Sequence, residues 1–381
     1  AVIRTSGQDA LKLAAKAFRR FRPGGEGDLL SSMAGFRIVR GIIVDPETAE
    51  DVDDVLAAVY RGPNSYTGED SAEFFVHGSL PGIQRAMEAL HKAGFRDANP
   101  GEFTLRAFVN GKIDLTRAEA VNEIVTAKSK QAQALALHRL AGSVERAVDG
   151  VKRELTELMV AVELQLDYSE DEGEAEDRPV SPDTLEQLRG KCEELAASFA
   201  TGRLYQQGVR VALAGRTNAG KSSLFNLFLK EDRSIVSEVH GTTRDYIESW
   251  ITLRGIPIML YDTAGLRLSE NRIENEGIRR TEEIIEQADI ILYLVDAAEG
   301  ENEEDRLRFA KFAGRLPCIK IWNKTDAAEH PPPAGYIGLS TVTMDGFREL
   351  EEALAASAAG PGVSVSPEGG AVIDSLRQQE L

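Results

Sequence analysis

The chain has 381 residues, enough for two or three domains, and 42% hydrophobic content, enough for real cores. Two cysteines exclude a disulfide framework and suit a reducing cytosol, no apolar stretch is long enough to span a membrane, and no signal peptide is visible, so a cytoplasmic location is expected. With 44 basic against 62 acidic residues the net charge is −18, a poor balance for non-specific nucleic-acid binding; an RNA substrate would have to be held locally or shared with a partner.

In chain order, Arg37 to Val44, Val55 to Tyr60 and Glu73 to His77 read as strands separated by Gly and Pro turns, and Ile83 to Ala93 reads as a helix. Thr116 to Leu166 is almost free of Gly and Pro. Its apolar residues fall at helical spacing: Ala120, Ile124, Ala127, Leu135, Leu137, Leu155, Leu158 and Val162. Such stripes are expected to be core rather than cofactor contacts. The acidic run Ser169 to Asp177 reads as a solvated link between helices, and Leu185 to Phe199 as a further helix.

Val209 to Ala214 then reads as a buried strand feeding Gly215-Arg216-Thr217-Asn218-Ala219-Gly220-Lys221-Ser222, and Ser223 to Leu229 as the helix leaving it. The run fits the phosphate-loop template at every fixed position, and the flanking strand and helix argue against a chance match in a turn. Backbone N–H groups of such a loop, Ala219 and Ser223 included, cradle phosphates at a helix N-terminus. Lys221 would neutralise the outer phosphates, and the Ser222 hydroxyl would ligate Mg²⁺. Gly241-Thr242-Thr243-Arg244-Asp245 lies where a switch should supply a second Mg²⁺ hydroxyl, most simply from Thr243. Asp262-Thr263-Ala264-Gly265 follows the apolar run Ile256 to Tyr261. Asp262 can hold Mg²⁺ through water, and the Gly265 N–H can meet the γ-phosphate.

Asn323-Lys324-Thr325-Asp326 selects the base. It follows the strand-like run Pro317 to Trp322. An ionised Asp326 accepts two N–H bonds from guanine, which adenine cannot offer. Asn323 can bridge the base edge and the phosphate loop, and Leu339-Ser340-Thr341 sits where a last base-contacting loop is expected. The nucleotide is therefore GTP, on a mostly parallel sheet with the phosphates at the strand C-termini. Many GTPases orient the attacking water with a Gln after the Asp-Thr-Ala-Gly element; here that position is Leu266, which cannot. Glu274 is within reach, but the residues alone favour one solvated switch acid among several.

The chain resembles the MnmE (TrmE) family of tRNA-modification GTPases. Beyond the phosphate loop, the resemblance rests on Ser65-Tyr66-Thr67-Gly68-Glu69-Asp70 and on the run from Asn99-Pro100-Gly101-Glu102 to Asn110-Gly111-Lys112-Ile113-Asp114-Leu115. It implies an α/β plus α architecture. Residues 1–115 would be a tetrahydrofolate-binding-type dimerisation domain and 116–204 a helical domain. An inserted Ras-like G domain would cover 205–360, and the second helical half would begin near 372. It also implies a catalytic K⁺ held by Asn218 and by the segment Ser237-Glu238-Val239-His240-Gly241-Thr242, with Ser237, Val239 and Thr242 as ligands, and it raises Glu274, before Gly277-Ile278, to the water-orienting residue. It implies a folate, 5-formyltetrahydrofolate or a related one-carbon form, on Arg4, Glu73 and Lys112; spacing alone would read these three as surface charge. The partners implied are a second copy of the chain, tRNA and an FAD-dependent protein of the MnmG (GidA) type, acting at C5 of the wobble uridine.

Departures from the family are Thr217 for a common Pro and His77-Gly78-Ser79 for a His-Gly-Gly. The sequence is expected to lack both family ends, including a terminal Cys-Ile-Gly-Lys whose position neither Cys192 nor Cys318 occupies. GTP hydrolysis survives that reading; complete modification chemistry is not assured by these residues alone. Two other readings stand beside it: a ribosome-assembly or other regulatory switch GTPase without folate chemistry, which the N-terminal signatures oppose, and a dimerisation unit with a silent G domain, which the intact nucleotide motifs oppose.

Overall fold

The computed structural model describes residues 1–21, 29–167, 182–231, 247–262, 284–312, 315–360 and 371–374. They form two compact units, Ala1–Asn122 and Glu123–Leu381.

The first unit is built on a five-stranded antiparallel sheet: β1 (Val2–Ser6), β2 (Phe18–Arg20), β3 (Arg37–Val44), β4 (Asp51–Tyr60) and β5 (Ser71–Phe75), in the order β1-β5-β4-β3-β2. The helices α1 (Ala10–Lys16) and α3 (Leu80–Ala93) share a core with it through Leu11, Ala14, Phe74, Ala86 and Leu90. A short helix α2 (Leu29–Ser32) and α4 (Glu102–Val109) belong to the same unit. α3 starts where Ser79 Oγ accepts from the Gly82 N–H, with Pro81 in the first turn, and stops at the left-handed Gly94.

Two strand boundaries move from their sequence positions. β4 begins at Asp51 rather than Val55, because Asp53 and Asp54 pair with Ile43 and Ile42 of β3 and Asp54 meets Arg40 across the ladder. The acidic residues before Val55 are thus part of a paired strand, with Asp54 on the more exposed face. β5 runs Ser71–Phe75, two residues earlier than expected, in register with β1.

The division between the units falls within α5 (Leu115–Thr126). In the second unit, α6 (Lys130–Leu140), α7 (Ser143–Asp167) and α8 (Pro182–Gln207) precede a six-stranded sheet. Its strands are β6 (Val209–Gly215), β7 (Ile247–Leu253), β8 (Ile256–Asp262), β9 (Ile290–Asp296), β10 (Cys318–Asn323) and β11 (Ile337–Leu339), in the order β11-β10-β9-β6-β8-β7. All neighbouring pairs are parallel except β7 with β8. α9 (Lys221–Glu231) leaves β6, and two further helices cover Glu303–Phe312 and Phe347–Ala359. One core joins Val211, Leu213, Ile258 and Leu292 of the sheet to Ala132 and Leu135 of α6, Leu204 and Tyr205 of α8, and Phe347, Leu350 and Leu354.

The helical stripes are only partly core. Ala120 and Leu135 are buried, but Leu137, Leu155 and Val162 are exposed. The stretch read as one helical run is interrupted after Thr126, where Ser129 caps α6 by accepting from the Ala132 N–H (3.1 Å), and at the left-handed Gly142. α8 extends eight residues beyond Phe199, carrying Leu204 and Tyr205 against the sheet. Among the described residues no helix is long and apolar enough to cross a membrane. The acidic run 169–177 lies outside the described residues.

Candidate functional site

The phosphate loop spans the turn from β6 into α9, on the C-terminal side of the parallel strands. Gly220 has φ +96, and a Cβ there would stand 2.1 Å from Asn323 Nδ2, so this position needs glycine for both conformation and space. Asn218 adopts φ +63 at the loop's exposed tip. Ala219 is buried and Ser223 is exposed. The Lys221 ammonium donates to the carbonyls of Gly215 (2.9 Å) and Arg216 (2.6 Å), which folds it along the inside of the loop.

Ser222 Oγ donates to Asp262 Oδ2 at 3.0 Å. The first residue of α9 after the lysine and the last of β8 therefore bring two hard oxygen donors together, a set suited to Mg²⁺ beside a phosphate. Asn323, fully buried, donates from Nδ2 to the Ala219 carbonyl at 2.8 Å, so the end of β10 is tied to the phosphate loop. Its Oδ1 is buried without a hydrogen-bond partner among the described residues, the mark of a polar group oriented for a ligand.

Ser340 Oγ donates to Asp326 Oδ1 at 2.6 Å and accepts from the N–H groups of Val342 and Thr343. The loop after β11 thus holds the exposed Asp326 carboxylate, and Thr341 lies half-buried in the same turn. Lys324 has φ +66 and reaches Asp296 Oδ2 at 2.6 Å. Burial opposes ionisation of Asp296, but the Lys324 hydrogen bond and the Ala298 N–H outweigh it and lower its pKa. Sequence reasoning missed Asp296. Its signal was the same as Asp262's: an Asp closing an apolar strand, here Ile290 to Val295.

Other residues expected at this site lie outside the described residues: Ser237, Glu238, Val239, His240, Gly241, Thr242, Thr243, Thr263, Ala264, Gly265, Leu266 and Glu274.

In the first unit, Arg4 and Glu73 are register partners on β1 and β5, and Arg4 Nε donates to Glu73 Oε1 at 2.6 Å. The Arg4 guanidinium lies 5.9 Å from the ring centres of both Tyr66 and Phe103. Lys112 instead donates to the Pro63 carbonyl at 2.8 Å. The two N-terminal signatures meet in space. Arg106 pairs with Glu69 (2.9 Å) and with Glu102 (2.9 Å), Tyr66 and Thr104 hydroxyls are 3.0 Å apart, and Asn110 Nδ2 donates to the Thr67 carbonyl at 2.7 Å.

A mostly parallel sheet with a phosphate loop, an Asp at the next strand end and a braced Asn-Lys-x-Asp loop defines a P-loop GTPase, a GTP hydrolase. Residues 210–324 match a family model described as 50S ribosome-binding GTPase, and residues 1–112 match GTP-binding protein TrmE N-terminus. The chain is 44% identical over 329 residues to a tRNA modification GTPase MnmE of Treponema denticola, spanning 85% of this chain and 68% of that protein. It is 38% identical over 380 residues to the MnmE of Thermus thermophilus, spanning 100% of this chain and 82% of that protein. The G domain of the T. maritima FeoB iron transporter is similar at 25% identity and a TM-score of 0.30, spanning 39% of this chain and 96% of that one. The chain belongs to the MnmE family of tRNA-modification GTPases.

Proposed function

We propose that this GTPase hydrolyses GTP, with potassium activation, to drive modification at C5 of the wobble uridine of tRNA. It would act as a homodimer with a flavin-dependent partner and a one-carbon folate. The observation that carries the nucleotide half is the convergence of Ser222 with Asp262 and of Asn323 with the phosphate loop. The relatives named tRNA modification GTPase MnmE support the tRNA half.

In this reading the loop amides and Lys221 bind the phosphates, Ser222 and Thr243 hold Mg²⁺ with Asp262 acting through water, and Asp326 reads guanine. A bound K⁺ would supply fixed positive charge where negative charge develops in the transition state. Asn218, at the loop tip, fits that role, with Ser237, Val239 and Thr242 as the other ligands. Glu274 orients the attacking water. In the first unit, the Arg4–Glu73 pair beside Tyr66 and Phe103 offers both charge signs and two aromatic faces, which suits a pterin and its acidic tail; Lys112 would add a second cation for that tail.

The test is GTP turnover in KCl against NaCl, with Asn218→Ala and Glu274→Ala alongside. Stimulation by K⁺ that disappears in Asn218→Ala is expected; equal rates in the two salts would sink the potassium assignment. The ribosome-binding description of the G-domain match favours one second reading, a regulatory switch GTPase. Calorimetry with 5-formyltetrahydrofolate separates the two, since only the tRNA-modification reading expects binding.

A further inference from the structure

Arg216 is the first free position of the phosphate loop, and its guanidinium is turned away from the cradle. It donates from Nη2 to the Gly300 carbonyl at 3.1 Å and lies 3.0 Å from Glu299 Oε2. Its Nε is 3.4 Å from Asp305 Oδ2. Asp305 is fully buried, at 0% exposure. Its Oδ1 accepts from Tyr293 Oη at 2.9 Å, its Oδ2 from the Asn302 N–H at 3.1 Å, and its own N–H donates to Asn302 Oδ1 at 2.9 Å. Burial, with Asp305's hydrogen bond and charge, pushes the Tyr293 hydroxyl pKa up, so it stays a donor. Arg216 is a cation that the structure pairs with this carboxylate.

We propose that Arg216 is a positioning residue for GTP, latching the first turn of the phosphate loop to buried Asp305 in the helix after β9. The guanidinium fork spans a carbonyl and two carboxylates at once, which a point-charge ammonium cannot do. With its charge matched by Glu299 and Asp305, Arg216 is not a phosphate ligand. Its effect passes through its own backbone, since the Arg216 carbonyl accepts from the Lys221 ammonium at 2.6 Å. A loop held in this way binds ground state and transition state alike, so its loss belongs in KM rather than in kcat.

The inference rests on GTP binding at this loop, and the test separates the two. GTP turnover is measured for the full chain and for Arg216→Ala, Arg216→Lys, Asp305→Asn and the Arg216→Ala/Asp305→Asn double variant. Arg216→Ala is expected to raise KM for GTP about tenfold with kcat within about twofold. Arg216→Lys recovers part of the loss, and the double variant is no worse than the worse single one, as coupled partners require. Unchanged KM in Arg216→Ala, additive losses, or a fall in kcat alone overturns the latch. Tighter GTP binding in Asp305→Asn also overturns it, because the acids would then be restraining an arginine that otherwise reaches phosphate. Arg216 is partly exposed, so its variants decide the matter even if Asp305→Asn fails to fold. A parent chain that binds no GTP overturns the site itself, and the latch with it.

Discussion

The Asn323 and Lys221 side chains both donate to carbonyls of the phosphate loop. The Asn323 amide comes from the end of β10 and takes the Ala219 carbonyl; the Lys221 ammonium comes from α9 and takes the carbonyls of Gly215 and Arg216. Gly220 is the hinge of this arrangement, because its missing Cβ is the space that Asn323 Nδ2 fills. Gly220→Ala is therefore expected to lower GTP affinity by at least about a hundredfold, through a strained φ and a displaced Asn323, while the circular dichroism spectrum stays that of the parent. Calorimetric titration with GTP checks it, and binding at parental strength would show that the amide has room to move. The positions of Lys221, Ser222 and Asp326 within nucleotide motifs were legible in the sequence because backbone-cradled phosphates and a guanine edge demand particular groups at particular spacings. Asp296, Asp305 and Arg216 were not, because each acts on a residue distant in sequence: Asp296 on Lys324, and Arg216 on Asp305.

At the scale of elements, α5, α6 and α8 are joined around a buried cation. Arg139 of α6 is 1% exposed and pairs with Glu123 of α5 (2.8 Å) and with Asp374, while its Nε donates to the Val372 carbonyl at 2.7 Å. Gln206 of α8 adds a contact to Glu123 at 3.3 Å, and Ser198 Oγ accepts from the Ile373 N–H at 3.1 Å. Removing the cation would leave two carboxylates at a dry seam, so Arg139→Ala is expected to cost about 3–5 kcal/mol, read from the urea midpoint of the whole chain. A change below about 1 kcal/mol would mean that water enters and solvates the pair. No sequence pattern announced this seam. A lone Arg on a helix reads as solvated surface, and its burial follows from segment 371–374 packing beside α8, where a Cβ on Gly202 would meet the Ile373 carbonyl at 2.1 Å.

At the scale of the molecule, each unit holds its own hydrophobic core. The first is closed by residues from β1 to α3, with Phe74, Val59, Ala86 and Leu90 at its centre. That closure predicts that a fragment of residues 1–122 folds alone and melts cooperatively, as judged by circular dichroism and calorimetry. A fragment without a cooperative transition would show that the unit borrows stability from the rest of the chain. The second unit's core runs without a break from the sheet into α6 and α8, whereas α7 exposes Val148, Leu155, Met159 and Leu164.

The sequence by itself determined the nucleotide motifs and the order of the parts. The nucleotide motifs, the strands feeding the phosphate loop, Asp262 and Asn323, and the mostly parallel sheet could be read directly, because phosphate binding fixes residue type and strand periodicity fixes burial. The N-terminal signatures could be read as a family resemblance, although spacing alone treated Arg4, Glu73 and Lys112 as surface charge. Tertiary structure decided the rest. It placed Arg4 against Glu73 through the β1–β5 register and sent Lys112 to Pro63. It turned the acidic start of β4 into a paired strand and left Leu137, Leu155 and Val162 of the apolar helical stripe uncovered. It also buried Arg139 and Asp305 among partners. These outcomes depend on which segments, distant along the chain, share a surface, and local pattern carries no record of that.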